Sequence, residues 1–204
     1  MKTCYIIGGG DFDGLFDEIK KDDLVIAADR GYTLAKDKNI KVDYVIGDFD
    51  SSTKPSDAKV VSLNPIKDFT DTVAAIEMAK DMGYKNIIIY GGLGGRESHT
   101  ISNIRTIYHY KNCGIDIKLK SEKKEIFVVS DSFSYKYTGK DFYVSVFSLK
   151  DTTKVTLRGL YYELDSYPMT IDDSLGVSNE TYQRDFEIEV SDGAVLVIFE
   201  DKSC

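Results

Sequence analysis

The chain has 204 residues, of which 42% are apolar and 29% are charged, and its formal net charge is -8. This length allows one large domain or two small ones, each with its own hydrophobic core. The acidic excess argues against general nucleic-acid binding, which needs a basic surface. No run approaches the ~20 apolar residues of a membrane helix, and the start is too short for a signal peptide. We therefore expect a cytoplasmic protein with neither nucleic-acid nor membrane partners.

Up to about residue 122, short β-rich runs alternate with segments of helical periodicity. That alternation predicts a parallel sheet flanked by helices. Six strands are predicted in this part of the chain, at residues 4–7, 24–27, 44–46, 60–63, 86–90 and 116–119.

Two of the helices can be given bounds from the sequence. Residues 72–82 place apolar side chains at helical spacing and stop at Gly83, a natural C-terminal cap. A second helix is predicted over residues 100–110, with Ile101 and Ile107 among the side chains that face the core.

From about Lys123 the pattern changes to period two with frequent turns, most clearly at residues 141–147, 186–190 and 194–199. Short strands at this spacing predict a β-sandwich of about 80 residues. The charged stretch 120–125 is either a junction or a solvated hairpin. We therefore predict an α/β protein in which an N-terminal parallel-sheet α/β domain, residues 1–122, is followed by a C-terminal all-β sandwich domain, residues 123–204.

The three cysteines, Cys4, Cys113 and Cys204, lie far apart in the sequence. They lack the paired spacing of zinc sites and disulfide frameworks. We expect free thiols.

Two acidic clusters follow predicted strands. Gly47-Asp48-Phe49-Asp50-Ser51 comes first, and Asp68-Phe69-Thr70-Asp71 follows about twenty residues later. In an extended segment residues two apart share a face, so Asp48 and Asp50 would present both carboxylates together. Mg²⁺ offsets such repulsion and takes its remaining oxygens from substrate phosphates. The alternative is structural, because Gly, Asp and Ser suit turns and Thr70 or Asp71 suits a helix cap.

Three glycine-rich loops also follow predicted strands, at the edge where open parallel sheets bind ligands. They are Gly8-Gly9-Gly10, Asp29-Arg30-Gly31 and the segment 91–96. Each is either a tight turn or a place where backbone N–H groups approach phosphate, and Arg96 adds a guanidinium. The Gly8-Gly9-Gly10 loop does not continue into G-x-G-x-x-G, and G-x-x-x-x-G-K-[ST] is absent from the sequence. His99, in the first turn of the next helix, is either a ligand donor or bonded to nearby backbone.

Taken together, these motifs resemble those of the thiamine pyrophosphokinase family. The resemblance covers nearly the whole chain and rests on five motifs in order, at residues 29–31, 47–51, 68–71, 94–99 with Asn103, and 174–180 preceded by 159–162. It implies an α/β domain that binds ATP, a C-terminal β-sandwich, and a homodimer whose thiamine site lies between subunits. It also implies transfer of a pyrophosphoryl group from ATP to the thiamine hydroxyl, with release of AMP.

The resemblance assigns roles residue by residue. It implies Asp48, Asp50 and Asp71 as the catalytic carboxylates that hold Mg²⁺, with Asp68 as a weaker candidate. Asp29 then belongs to the nucleotide site.

Further binding residues follow from the same motifs. Gly31 also belongs to the nucleotide site, and Arg96 is expected to contact phosphate. Ser178 and Asn179 would face the thiamine pyrimidine, although the polar loop that contains them is by itself typical of a hairpin turn. The remaining binding candidates carried over with the motif at 94–99 are Ser98, His99 and Asn103.

One position departs from the family pattern. Where the family usually has Arg-x-Asp-His, this chain has Arg96-Glu97-Ser98-His99. Ser98 carries no charge, so thiamine affinity is weaker or Glu97 compensates. The chain has no tryptophan, so stacking on thiamine must come from Tyr or Phe. Two alternatives therefore stay open: a pyrophosphokinase for another hydroxymethyl heterocycle such as a pterin, and a non-catalytic thiamine or nucleotide sensor.

Overall fold

The computed structural model describes residues 2–47, 58–62 and 69–203. The chain divides into two compact units, Met1–Glu122 and Lys123–Cys204, and the division falls within the charged stretch 120–125. The first unit combines helices with a parallel sheet, whereas the second contains antiparallel sheets. The predicted mixed α/β class is confirmed.

The first unit contains a parallel sheet in the strand order β6-β5-β1-β2-β3-β4. Its strands are β1 (Thr3–Ile7), β2 (Leu24–Ala28), β3 (Tyr44–Gly47), β4 (Lys59–Ser62), β5 (Asn86–Tyr90) and β6 (Asp116–Lys120), and its helices are α1 (Gly31–Asp37), α2 (Asp71–Asp81) and α3 (Glu97–Asn112). All residues of β1 and β2 are buried. Continuous burial is typical of parallel strands that are covered on both faces.

Both predicted helices exist, and each begins earlier than its apolar pattern indicates. Helix α2 begins at Asp71 because the Thr70 side chain caps it. Helix α3 begins at Glu97 rather than at residue 100, and Ile107 is buried as predicted. The prediction that Ile101 faces the core is wrong, since 54% of its surface is exposed. Periodicity identifies the apolar stripe of a helix but not how much of that stripe a neighbour covers.

The connection from β1 to β2, residues 8–23, contains neither helix nor strand. It nevertheless packs on the sheet through aromatic side chains. The rings of Phe12 and Phe16 lie 6.4 and 6.2 Å from the ring of Tyr90, the last residue of β5. This irregular segment is therefore held against the end of the strand that precedes the 91–96 loop.

The second unit contains two antiparallel sheets, with strand orders β12-β9-β14-β7 and β11-β10-β13-β8. The strands are β7 (Lys124–Val129), β8 (Ser132–Tyr135), β9 (Phe142–Ser148), β10 (Thr152–Arg158), β11 (Leu164–Thr170), β12 (Asn179–Glu180), β13 (Phe186–Ser191) and β14 (Val195–Asp201).

One hydrophobic core joins these two sheets. Val146 and Val197 contribute from the first sheet, and Val155 and Ile188 contribute from the second; all four are fully buried. Strand β13 alternates strictly between buried and exposed residues, which is the period-two pattern of the sequence. The two sheets therefore pack face to face, as in a β-sandwich.

No helix in the described part of the chain is long and apolar enough to cross a membrane. Cys4 and Cys113 are free thiols, as predicted, while Cys204 lies outside the described residues. Burial raises the pKa of the Cys4 thiol well above its usual range. Cys4 is therefore a protonated core residue rather than a reactive group.

Candidate active site

A cavity of about 470 Å³ lies in the first unit, where the loops after β1, β2 and β5 meet the first turns of α2 and α3. Its lining consists of Gly9, Gly10, Ala28, Asp29, Arg30, Thr70, Asp71, Thr72, Gly91, Gly92, Gly94, Gly95, Arg96, His99 and Asn103. The position is the expected one, because the carboxyl ends of parallel strands meet at one edge of the sheet. The cavity brings together five predicted site residues, Asp29, Asp71, Arg96, His99 and Asn103.

Two glycine loops form one wall of this cavity by packing on each other. The Gly8 N–H donates to the Tyr90 carbonyl at 2.7 Å, and the Gly10 N–H donates to the Gly91 carbonyl at 2.8 Å. A Cβ atom on Gly8 would lie 2.8 Å from the Gly91 oxygen, and Gly91 has a φ of +65°. These glycines are required because two backbones approach each other closely.

Asp29 follows β2 in an unusual backbone conformation. Its φ is +50°, in the left-handed region. Its N–H donates to the Ile46 carbonyl at 2.7 Å, and its carbonyl accepts from the Tyr32 N–H at 3.2 Å. A non-glycine residue in this region costs of order 1–3 kcal/mol, although Asp tolerates it better than most. Strain of this kind concentrates at functional sites, which favours a role for the Asp29 carboxylate in the cavity.

Gly31 begins helix α1 and has a packing role. A Cβ atom at this position would collide with the carbonyl oxygen of Ile7, at the end of β1. Gly31 does not line the cavity, whereas its neighbour Arg30 does. The glycine therefore allows α1 to start close to β1, and this places Asp29 and Arg30 at the cavity edge.

The acidic residue at the start of α2 is separate from the capping residue. Thr70 is the N-cap, and its Oγ1 accepts a hydrogen bond from the Val73 N–H at 3.3 Å. Asp71 follows and lines the cavity together with Thr70 and Thr72. The positive end of the helix dipole favours negative charge here. Thr70 is therefore the capping residue of α2. Asp71 is the acidic residue of this motif that lines the cavity.

The start of α3 contributes side chains with different roles. Arg96 and His99 line the cavity, whereas Ser98 is exposed and does not line it. The amide nitrogen of Asn103 donates to the Gly92 carbonyl at 2.7 Å. Asn103 therefore ties the glycine loop after β5 to the second turn of α3.

Asp48 and Asp50, like Asp68, lie outside the described residues. Gly47, the last described residue before them, ends β3, and a Cβ atom at this position would lie 3.4 Å from the Cα of Asp29. Within the described ranges no three His, Cys, Asp or Glu side chains converge as metal ligands do. Asp29 and Asp71 nevertheless line the same cavity. Their carboxylate oxygens are of the type that Mg²⁺ prefers, and Mg²⁺ needs few of them when phosphates supply the rest.

In the second unit, Asn179 holds a neighbouring turn. Its Oδ1 accepts from the N–H groups of Tyr162 at 3.0 Å and Glu180 at 2.8 Å, and its Nδ2 donates to the Tyr162 carbonyl at 2.7 Å. Ser178 is exposed with a φ of +55°, and its N–H donates to Ser145 Oγ at 3.0 Å. The buried Asn179 amide therefore fixes the backbone on both sides of Tyr162.

Three exposed tyrosines lie beside this turn. Tyr161 and Tyr162 belong to the motif at 159–162, but the sequence assigns no role to either of them or to Tyr182. The ring of Tyr161 lies 4.8 Å from that of Tyr162 and 5.5 Å from that of Tyr182, both in T-shaped geometry. The Arg184 guanidinium lies 5.3 Å from the Tyr182 ring centre. In the sequence, the adjacent Tyr161 and Tyr162 are the one indication of an aromatic surface here. The sequence does not show that the antiparallel bridge from Leu160 to Thr181 brings Tyr182 beside them.

Two family models match this chain. The model described as "Thiamin pyrophosphokinase, catalytic domain" matches residues 15–119, and "Thiamin pyrophosphokinase, vitamin B1 binding domain" matches residues 134–195. The chain belongs to the thiamin pyrophosphokinase family. The resemblance drawn from the motifs is thereby confirmed, and with it the expectation of an enzyme whose activity is that of a thiamine pyrophosphokinase.

Individual relatives agree with the family models. A thiamine pyrophosphokinase of Bacillus subtilis (strain 168) is 28% identical over 213 residues, which cover 97% of this chain and 98% of that protein. The crystal structure of thiamine pyrophosphokinase from Bacillus subtilis matches with a TM-score of 0.89 at 25% identity, covering 98% and 99% of the two chains. Yeast thiamin pyrophosphokinase shares the fold, with a TM-score of 0.75 at 14% identity over 98% of this chain and 86% of that one.

Asn103 provides a test of the wall formed by the glycine loops. In Asn103→Ala the buried Gly92 carbonyl loses its donor, so we expect the free energy of unfolding to fall by about 1–3 kcal/mol. Urea denaturation measures this change. The matched control is Asn112→Ala, because the Asn112 amide donates to the carbonyl of Tyr108 in its own helix, at 3.2 Å, rather than to a loop. Equal stabilities for the two variants would contradict the role given to Asn103.

Proposed function

We propose that this chain transfers a pyrophosphoryl group from ATP to the hydroxyl of thiamine, giving thiamine diphosphate and AMP, in a reaction that requires Mg²⁺. The proposal rests on the cavity, which combines glycine loops, a guanidinium and two carboxylates in a chain of this family. We assign ATP binding to residues 1–122 and a part of thiamine binding to residues 123–204. The cytoplasmic location expected from the sequence remains part of the proposal.

ATP binding in the cavity follows from its donors and its charge. Arg96 provides a planar guanidinium that suits phosphate oxygens. The N-termini of α2 and α3 both open into the cavity, and their backbone N–H groups and dipoles favour anions. We assign Asp29 to nucleotide binding, and Gly31 allows Asp29 to lie at the cavity edge. We assign His99 as a further hydrogen-bond donor to the nucleotide. Asn103 acts by holding the glycine loop.

We assign the metal to Asp48, Asp50 and Asp71. When bound there, Mg²⁺ would neutralise charge on the phosphates of ATP. The thiamine hydroxyl oxygen attacks the β-phosphorus in line, the bond from that phosphorus to the α,β-bridging oxygen breaks, and AMP leaves. One of the three aspartates accepts the hydroxyl proton. Positioning and charge neutralisation supply most of the acceleration.

The thiamine site is proposed to lie between the subunits of a homodimer. The cluster of Tyr161, Tyr162 and Tyr182 supports a thiamine site here, because it is exposed and belongs to the segment matched by the vitamin B1 binding model. Exposed aromatic surface of this kind is typical of binding sites. The thiazolium of thiamine carries a positive charge that an aromatic face attracts. Ser178 belongs to the same site, and Asn179 contributes by fixing Tyr162.

The reaction can be followed by phosphorus NMR of the purified protein with ATP, Mg²⁺ and thiamine. We expect AMP and thiamine diphosphate to appear together and both to be absent after addition of a chelator. Pyrophosphate transfer to a pterin but not to thiamine would overturn the choice of acceptor. Thiamine binding without any turnover would favour a sensor instead.

The metal assignment is tested by Asp48→Asn and Asp50→Asn. Each change removes a carboxylate charge, so we expect turnover to fall by about 10²-fold or more. The circular dichroism spectrum should stay unchanged. Asp37→Asn is the matched control, because Asp37 is exposed at the end of α1 and does not line the cavity. Near-normal turnover in both test variants would remove the assignment.

The thiamine site is tested at Tyr162, which is 66% exposed. In Tyr162→Ala a stacking surface is lost, and a loss of about 1–2 kcal/mol corresponds to a roughly 5- to 30-fold higher KM for thiamine. Steady-state kinetics at saturating ATP measures this. Tyr162→Phe keeps the ring and should retain most of the affinity. An unchanged KM for thiamine in Tyr162→Ala would exclude this surface from the site.

A further inference from the structure

Tyr90 connects the irregular segment 8–23 to the end of β5. The tyrosine is fully buried and immediately precedes the glycine loop of the cavity. Its hydroxyl donates to one carboxylate oxygen of Asp17 and accepts from the Phe16 N–H at 3.2 Å. A buried phenol with both a donor and an acceptor role satisfied has a defined orientation.

Asp17 uses its second carboxylate oxygen for an ion pair. That oxygen lies 2.7 Å from the Nζ of Lys120, whose side chain is 18% exposed against 25% for Asp17. Lys120 ends β6 and lies opposite Tyr90 in the register of the parallel strands. An ion pair this shielded differs from a surface pair, because removing one partner leaves the other charge partly buried and uncompensated.

The segment that carries Asp17 begins with the glycine wall of the cavity. Three backbone hydrogen bonds tie its start to the last residue of β5 and to the chain that follows: Gly8 to Tyr90 at 2.7 Å, Gly10 to Gly91 at 2.8 Å and Asp11 to Leu93 at 3.0 Å. Glycines have no side chains with which to hold themselves in place. The start of the segment is therefore fixed by these backbone bonds, and the Asp17 carboxylate is a further attachment along the chain.

We propose that Asp17, Tyr90 and Lys120 form a positioning cluster that sets the geometry of the Gly9-Gly10 wall, and through it the affinity of the cavity for the polyphosphate of a nucleotide. The choice of a nucleotide as ligand rests on the proposed function. None of the three residues lines the cavity, so each acts through the glycine wall. Backbone groups that bind phosphate must be held within tenths of an ångström, because small displacements weaken every hydrogen bond to the ligand.

The test is nucleotide binding to the full chain, measured by titration calorimetry with α,β-methylene-ATP and Mg²⁺. This analogue has no cleavable bond between its α- and β-phosphates, so binding is measured without turnover. We expect about tenfold weaker binding in Asp17→Asn and in Lys120→Met, and a double variant no weaker than either, since both changes break one network. If both folded variants bind the analogue as tightly as the wild type, the proposal is overturned.

The matched control is Lys111→Met. Lys111 pairs with Asp116 at 2.6 Å, and Asp116 begins the strand that Lys120 ends. This change removes a lysine of the same unit without touching the cluster, and we expect unchanged affinity for the analogue. Equal weakening in Lys111→Met would show a general effect of lost charge and would overturn the proposal.

Two further measurements separate positioning from stability alone. Tyr90→Phe keeps the ring and removes only the hydroxyl, so it provides a folded variant if Asp17→Asn fails to fold. In this variant we expect the KM for ATP to rise while the KM for thiamine is unchanged. A parallel rise of both constants would indicate general loosening and would overturn the proposal. A wild-type protein that does not bind the analogue would overturn the nucleotide function itself, and this proposal with it.

Discussion

The close approach of two backbones organises the first unit. The chain leaving β1 and the chain leaving β5 run side by side, and backbone N–H groups of the first donate to carbonyls of the second. Parallel pairing of β1 with β5 brings both exits to one edge of the sheet. Glycine at Gly8, Gly10 and Gly91 then lets the two loops touch, and the cavity opens beside this contact.

The rest of the site depends on how neighbouring elements are held against that contact. Asn103 ties α3 to the glycine loop, and Gly31 lets α1 begin against the end of β1. In the second unit Asn179 has the same kind of role, because its amide fixes the turn that carries Tyr162. Asn103, Gly31 and Asn179 thus act on backbone geometry.

Residues that line the cavity and residues that hold its backbone differ in how far the sequence identifies them. Arg96 and His99, which belong to the motif at 94–99, both line the cavity, and their contacts with a ligand stay predictions. The motif at 29–31 implies that Gly31 belongs to the nucleotide site. The structure shows that Gly31 packs against the Ile7 carbonyl, and a contact with the nucleotide stays a prediction. The cluster around Asp17 had no sequence signal, since its members are separated by 73 and 103 residues.

The sequence by itself determined the mixed α/β class, most of the strands and the edge of the sheet at which polar loops gather. These features depend on local periodicity, on turn residues and on the rule that parallel strands end together. Tertiary structure decided which side chains meet, such as Lys120 with Asp17 and Tyr182 with Tyr161. It also decided that Ile101 stays exposed. Such contacts join residues far apart in the chain, and their energies depend on burial and distance, which no local pattern contains.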